Sequence, residues 1–172
     1  MELSALKKEN LKEEKGGNIL IVDDESIVRV SLTALLSEEG FNVDSAGSGE
    51  EALKKVSTGG WDLLMVDIKM PGMDGIELLK KIKGLQPEIP IIIITAYASI
   101  GTAVNAMKSG AEDYLVKPFN TDELKFVIQK TINHQKVKIE NIRLKKQLQE
   151  KFGLKYYCEK CGHEMTRVIE AI

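Results

Sequence analysis

The chain has 172 residues, of which 43% are hydrophobic, enough to bury one core with a small appendage. With 24 basic and 26 acidic residues its formal charge is -2, so no domain-wide basic excess is available to neutralise nucleic-acid phosphates. It has no run of about 18 apolar residues, and its charged N-terminus lacks the apolar segment of a signal peptide. We therefore expect a cytoplasmic protein that does not span a membrane.

The first 17 residues form a charged segment ahead of the patterned part of the chain. They mix lysine and glutamate with sparse leucines and end in two glycines. This composition is typical of a flexible lead rather than of a packed element. We therefore expect the folded part to begin at Asn18.

From Asn18 onward, short apolar runs alternate with segments of helical periodicity. The predicted strands are residues 18–22, 41–46, 63–66, 91–95 and 113–116. The predicted helices between them are residues 26–39, 50–56, 76–82 and 102–108. Pro90 disfavours a helix in the β-branched run that follows it, and Asp74 is placed to cap the third helix.

This alternation predicts an α/β fold, because right-handed crossovers between parallel strands place helices on both faces of a sheet. Five strand–helix units fit a five-stranded parallel sheet in the flavodoxin-like order 2-1-3-4-5 better than a barrel of eight units. Sites in such folds lie outside the carboxyl ends of the strands, where the strand order reverses. Here that point falls between the first and third strands.

Polar side chains stand at the carboxyl ends of four of the predicted strands. They are Asp23 and Asp24 after the first strand, Asp67 after the third, Thr95 at the end of the fourth, and Lys117 after the fifth. Three carboxylates in one crevice repel each other unless a cation is present, and Mg²⁺ binds carboxylate, water and phosphate oxygens. Each residue alone reads as an ordinary turn residue. Together they suit phosphoryl transfer to a carboxylate.

Residues 18–132 resemble a CheY-like receiver domain of a bacterial two-component response regulator. The resemblance rests on LIVDDE at residues 20–25, MVDIKMPGMDGIELL at 65–79, IIIITAYAS at 91–99 and GAEDYLVKPF at 110–119. It implies that Asp67 accepts a phosphoryl group from a phosphohistidine on a sensor histidine kinase. Such a chain is a signalling protein, which catalyses only its own phosphotransfer and slow autodephosphorylation.

The resemblance also implies a Mg²⁺ site and a switch. Asp24 and Asp67 would bind the metal through their side chains, Asp23 directly or through water, and Lys69 through its backbone carbonyl. Thr95 and Lys117 would hold the phosphoryl oxygens. Tyr114 matches the aromatic residue that turns inward when the threonine moves, and residues 102–132 would present the output face to a downstream protein. An ordinary strand tyrosine is the alternative for Tyr114.

A long helix is predicted after the fifth strand. Asn120 or Thr121 can cap it, and neither glycine nor proline appears again before Gly153. Within the extension at residues 133–153, the seam Val137, Asn141, Leu144 and Leu148 has the spacing of a parallel coiled coil, so we expect a candidate homodimer. Ile139 and Ile142 define a competing seam. A single amphipathic helix folded back on the receiver is the alternative.

Residues 140–154 resemble the linker that follows the receiver in nitrogen-regulatory-type, σ54-activating regulators. Those proteins continue into an ATPase domain and a helix-turn-helix domain. This chain has no GxxxxGK[ST] phosphate loop. We therefore expect it neither to hydrolyse ATP nor to bind DNA directly.

The tail at residues 154–172 carries Cys158, Cys161 and His163 in a CxxCxH pattern. Zinc knuckles use such spacing, but a structural site needs four ligands, so a second chain would have to complete it. A redox pair and an unliganded tail are the alternatives.

Two other functions compete with the signalling receiver. A phosphatase of the haloacid-dehalogenase type also phosphorylates an aspartate, but it requires a DxDx[TV] motif that the sequence Asp23-Asp24-Glu25 lacks. A zinc-binding adaptor with the receiver as a mere scaffold would not need the acids together with Thr95 and Lys117.

Overall fold

The computed structural model describes residues 16–152 and two short strands beyond them. The strands of the main sheet are β1 Gly16–Val22, β2 Phe41–Ala46, β3 Leu63–Asp67, β4 Ile91–Thr95 and β5 Asp113–Val116. The helices are α1 Ser26–Glu38, α2 Gly49–Ser57, α3 Gly75–Leu85, α4 Ile100–Lys108 and α5 Thr121–Phe152. The short strands β6 Tyr156–Tyr157 and β7 Glu164–Met165 pair antiparallel.

The main sheet is parallel throughout, in the order β2-β1-β3-β4-β5. This confirms the predicted α/β fold. Val22 pairs with Val66, Asp67 with Ile94, and Thr95 with Val116. The carboxyl ends of four strands therefore meet at one edge of the sheet.

Strands β3 and β4 are buried on both faces, which explains their unbroken apolar sequences. Alternate side chains feed two separate clusters. Leu64, Val66 and Ile93 pack in the cluster that includes residues of α2, α3 and α4. The other cluster joins Met65 and Ile92 to residues of α1 and α5. This burial holds the site-bearing ends of β3 and β4 in place.

Side-chain caps define where several helices begin. Asp74 Oδ1 accepts a hydrogen bond of 2.7 Å from Glu77 N, which confirms Asp74 as the cap of α3. Asn120 Oδ1 accepts from Glu123 N at 2.6 Å, so Asn120 caps α5. Helix α4 begins at Ile100, two residues before the predicted start, because Ser99 caps it.

Helix α5 runs unbroken over 32 residues, which confirms the predicted long helix. Its first turns are buried through Leu124, Val127 and Ile128. The chain divides into two compact units with the boundary between Ile132 and Asn133, inside this helix. Among the described residues, no helix is both long and apolar enough to cross a bilayer.

Candidate functional site

The candidate site lies at the carboxyl edge of the sheet, and backbone pairing continues into it. Asp23 N donates to Ala46 O at 3.2 Å, one residue beyond β1, and Lys117 N donates to Thr95 O at 2.8 Å, one residue beyond β5. Asp67 and Thr95 are the last residues of β3 and β4. The backbones of four predicted site residues are therefore fixed by the sheet itself.

Lys117 joins two of the carboxylates. Its Nζ lies 2.6 Å from Asp23 Oδ2 and 2.9 Å from Asp67 Oδ1. Asp23 is fully buried, Asp67 is 6% exposed, and the Lys117 side chain is 16% exposed. One buried ammonium thus faces two buried carboxylates. The three groups together carry a net negative charge, which a further cation would neutralise.

The pKa values follow from this balance. Burial raises the pKa of Asp67 above its usual range, since the hydrogen bond and charge of Lys117 offset the loss of solvation only in part. Burial alone would lower the pKa of Lys117, but its hydrogen bonds to Asp23 and Asp67 outweigh that effect and raise it. Lys117 is therefore a firmly charged group beside a carboxylate of increased basicity.

The loops after β1 and β3 hold the remaining carboxylate oxygens. Lys69 N donates to Asp67 Oδ2 at 2.6 Å, and Glu25 N donates to Asp23 Oδ1 at 2.9 Å. Each carboxylate is thus fixed from two sides, by a backbone amide of its own loop and by Lys117. This fixed orientation is what in-line attack on a phosphorus atom requires.

Thr95 is fully buried at the end of β4, and its Oγ1 accepts a hydrogen bond of 3.1 Å from Tyr97 N. Its strand is the direct neighbour of the strand that carries Asp67. Tyr114 is half-buried on β5 and packs against the cluster that includes α4. Its hydroxyl lies 3.2 Å from Thr102 Oγ1.

The donor set fits Mg²⁺ in part. Asp23 and Asp67 supply the hard oxygen ligands that Mg²⁺ prefers, and their combined charge exceeds that of Lys117. Asp24 is exposed, and the described residues contain no group of three or more His, Cys, Asp or Glu side chains arranged around a common metal position. Lys117 thus brings Asp23 and Asp67 together, whereas Asp24 is exposed, and its role as a ligand stays a prediction.

Several contacts around the site were not predicted from the sequence. Arg29 Nη1 donates to Asp23 O at 2.6 Å and to Asp24 O at 3.0 Å, and so fixes the loop after β1. The ammonium of Lys69 lies 3.7 Å from the centroid of the Tyr97 ring. The only available signal for Arg29 was a lone basic residue five positions after Asp24.

The proposed zinc ligands Cys158, Cys161 and His163 lie outside the described residues. Strand β6 ends at Tyr157, directly before the motif, and β7 begins at Glu164, directly after it. The role of the motif stays a prediction.

The doubly wound sheet, with buried aspartates, a threonine and a lysine at its carboxyl edge, fits the receiver class of signalling domain. The chain belongs to the response regulator receiver domain family, which matches residues 19–129. These residues form the receiver domain of a two-component response regulator, a signalling domain of a family that in general binds Mg²⁺.

Relatives and solved structures agree on this class. The transcriptional regulatory protein ZraR of Escherichia coli is 47% identical over 117 residues, which are 68% of this chain and 26% of that protein. The putative NtrX-like response regulator of Rickettsia bellii is 41% identical over 139 residues, 80% of this chain and 29% of its own length. The chain thus spans about a quarter of the length of such relatives.

Two solved structures resemble this chain over a similar share of its length. A response regulator receiver domain protein from Clostridium thermocellum has a TM-score of 0.67 at 34% identity, over 70% of this chain and 98% of that one. NtrX from Brucella abortus, in complex with ADP, has a TM-score of 0.72 at 35% identity, over 75% of this chain and 30% of that one.

Proposed function

We propose that this protein is a cytoplasmic response regulator controlled by phosphorylation, in which Asp67 accepts a phosphoryl group from a phosphohistidine on a sensor histidine kinase. The observation that carries the proposal is the setting of the Asp67 carboxylate. It is buried at the end of a rigid strand, bonded to the Lys117 ammonium through one oxygen and to the Lys69 amide through the other.

The transfer forms a bond between phosphorus and one carboxylate oxygen of Asp67 while the bond to the donor histidine nitrogen breaks. Mg²⁺ would supply charge neutralisation; the resemblance implies that Asp24 and Asp67 would hold it through their side chains, Asp23 directly or through water, and Lys69 through its backbone carbonyl. Lys117 is already within hydrogen-bond distance of Asp67, so its ammonium needs only a small movement to reach a phosphoryl oxygen. Loss of the group to water returns the carboxylate.

Two exposed apolar residues on α1 support docking of the kinase beside this site. Ile27 is 73% exposed and Val30 is 69% exposed. Ile27 lines a groove together with Lys117, Pro118 and Phe119. Because Lys117 contacts the acceptor, a helix of the donor packed on this groove would bring its phosphohistidine close to Asp67.

The response to phosphorylation passes through Thr95 and Tyr114. The Thr95 hydroxyl donates to a phosphoryl oxygen, and Tyr114 turns into the space that Thr95 leaves. The surface of α4, β5 and α5 then changes. It carries the exposed apolar side chains Ile100, Val104, Met107, Val116 and Phe126. Such a surface is suited to a downstream protein partner.

Dimerisation through the α5 extension is the second part of the proposal. Val137, Leu144 and Leu148 are exposed in the isolated chain and follow the spacing of a coiled-coil seam. Zinc binding by Cys158, Cys161 and His163 remains a prediction that would couple to the same dimer.

The acceptor is tested by incubating the protein with Mg²⁺ and acetyl phosphate and measuring its intact mass. The unchanged protein should gain the mass of one phosphoryl group, and Asp67→Asn should gain none. Asp74→Asn is the matched control, because asparagine keeps the cap of α3 and the nearby Asp67 is untouched. An adduct on Asp67→Asn equal to that on the unchanged protein would refute the assignment.

A further inference from the structure

The N-terminus of α4 is closed by a reciprocal pair of hydrogen bonds. Ser99 N donates to Thr102 Oγ1 at 3.0 Å, and Thr102 N donates to Ser99 Oγ at 3.0 Å. This capping box satisfies two backbone amides, one in the first turn of the helix and one at its cap. The threonine at this position is therefore a structural part of the helix start.

The hydroxyl of Thr102 has a further partner on β5. Its Oγ1 lies 2.9 Å from Ser99 O, to which it donates its single proton. The same oxygen lies 3.0 Å from Ser99 N, 3.1 Å from Ser99 Oγ and 3.2 Å from the Tyr114 hydroxyl. The orientation of the ring is tied to the cap of α4.

We propose that Thr102 is a positioning residue that holds Tyr114 in the half-buried orientation described above, and that this orientation is the one of the unphosphorylated state. The inference rests on the proposed function, since it takes Tyr114 as the residue that moves. When the ring turns inward, the hydroxyl must leave Thr102, so the hydrogen bond that joins β5 to the start of α4 breaks. Movement at Tyr114 is thereby transmitted to the start of α4.

The consequence reaches the surface, because α4 begins with an exposed apolar residue. Ile100 lies one residue after Ser99 and is exposed, as are Val104 and Met107 on the following turns. A change at the cap alters how these side chains are presented to a partner. The bond also opposes activation, because it stabilises the orientation that Tyr114 has to leave.

The test is the affinity for beryllofluoride in the presence of Mg²⁺, measured by fluorine NMR on full-length protein labelled with fluorotyrosine. Tyr114→Phe assigns the Tyr114 resonance among the four tyrosines. Thr102→Val removes the hydroxyl and keeps the side-chain shape. Losing one neutral hydrogen bond should tighten beryllofluoride binding about three- to tenfold. The Tyr114 resonance of the ligand-free variant should move toward its bound position.

Three further variants separate this role from simple capping. Thr102→Ala should behave as Thr102→Val does. Because alanine favours the helix more than valine, this variant replaces Thr102→Val if the valine destabilises α4. Thr102→Ser keeps the hydroxyl and should restore the affinity of the unchanged protein. Ser99→Ala weakens the cap but leaves the Thr102 hydroxyl beside Tyr114. The affinity of this variant for beryllofluoride should therefore equal that of the unchanged protein.

The outcomes divide clearly. Unchanged affinity and an unmoved Tyr114 resonance in both Thr102→Val and Thr102→Ala would overturn the inference, and so would weaker binding. An equal gain in Ser99→Ala would show that capping alone is responsible, which also overturns it. Failure of the unchanged protein to bind beryllofluoride would instead contradict the proposed function.

Discussion

At the scale of single residues, the site is a problem of charge. Asp23 and Asp67 are both buried and share one ammonium, that of Lys117. Removing a partner from a buried ion pair leaves an unpaired charge in a poorly solvating environment. The arrangement therefore depends on Lys117 whenever no metal is bound.

The first prediction concerns this dependence. In the presence of a metal chelator, Lys117→Met should lower the free energy of unfolding by about 3 kcal/mol, because two buried carboxylates lose the ammonium that neutralises them. Urea denaturation at neutral pH measures it. Lys130→Met is the control: Lys130 lies 2.9 Å from Asp113, but its side chain is 60% exposed. That change should cost less than about 1 kcal/mol. Equal costs for the two variants would contradict the account.

The sequence predicted which residue types meet at the site, but not their individual geometry. Asp23 and Asp24 both follow β1, and only the structure shows that Asp23 is buried and Asp24 exposed. The contacts of Arg29 and Thr102 depend on where a long side chain and a neighbouring strand lie in space. No local pattern encodes those distances.

At the scale of elements, the loop between β3 and α3 positions the acceptor. Gly75 opens α3, and its N–H donates to Ile68 O at 2.8 Å. A Cβ on this glycine would collide with the Asp67 carbonyl oxygen and would lie 2.8 Å from Ile68 Cα. Helix and loop can approach this closely only because position 75 lacks a side chain. The sequence contained the glycine but did not show that it lies against the backbone of Asp67 and Ile68.

Gly75→Ala should therefore displace the end of β3, which carries Asp67, and the loop after it, which carries Lys69. We expect a loss of about 1–3 kcal/mol in the free energy of unfolding, the usual cost of overpacking. Slower phosphorylation by acetyl phosphate should accompany it, since the carboxylate loses its fixed orientation.

The same helix contains the control for that change. An added Cβ at Gly84 has no atom within 4 Å, so Gly84→Ala should be neutral or stabilise the protein by about 0.5–1 kcal/mol. Thermal or urea unfolding of both variants measures the difference. The close-approach argument fails if Gly75→Ala is as stable as Gly84→Ala.

At the scale of the whole molecule, the parallel order of the sheet explains why the prediction of the fold succeeded. Buried strands give continuous apolar runs, and βαβ crossovers have one hand, so few topologies remain. The start of β1 at Gly16 rather than Asn18 was beyond this reasoning, because Gly16 joins the sheet by backbone pairing with Phe41. Likewise, the sequence of one chain does not show whether two copies assemble.

Assembly gives the third prediction of this part. If the seam through Val137, Leu144 and Leu148 joins two copies, the protein should sediment as a dimer. Leu144→Glu with Leu148→Glu should weaken that dimer more than about tenfold, because each buried leucine contributes substantially to association. Ile139→Glu with Ile142→Glu, on the competing seam, should leave it intact. The reverse pattern would assign the interface to the other seam.

The most direct test of the central claim is to locate the phosphoryl group itself. The protein is phosphorylated by a histidine kinase or by acetyl phosphate with Mg²⁺, and the acyl phosphate is reduced with borohydride. Peptide mass spectrometry then finds the reduced residue. The account predicts reduction at Asp67 alone, and modification at Asp23, Asp24 or Asp74 in its place would contradict it.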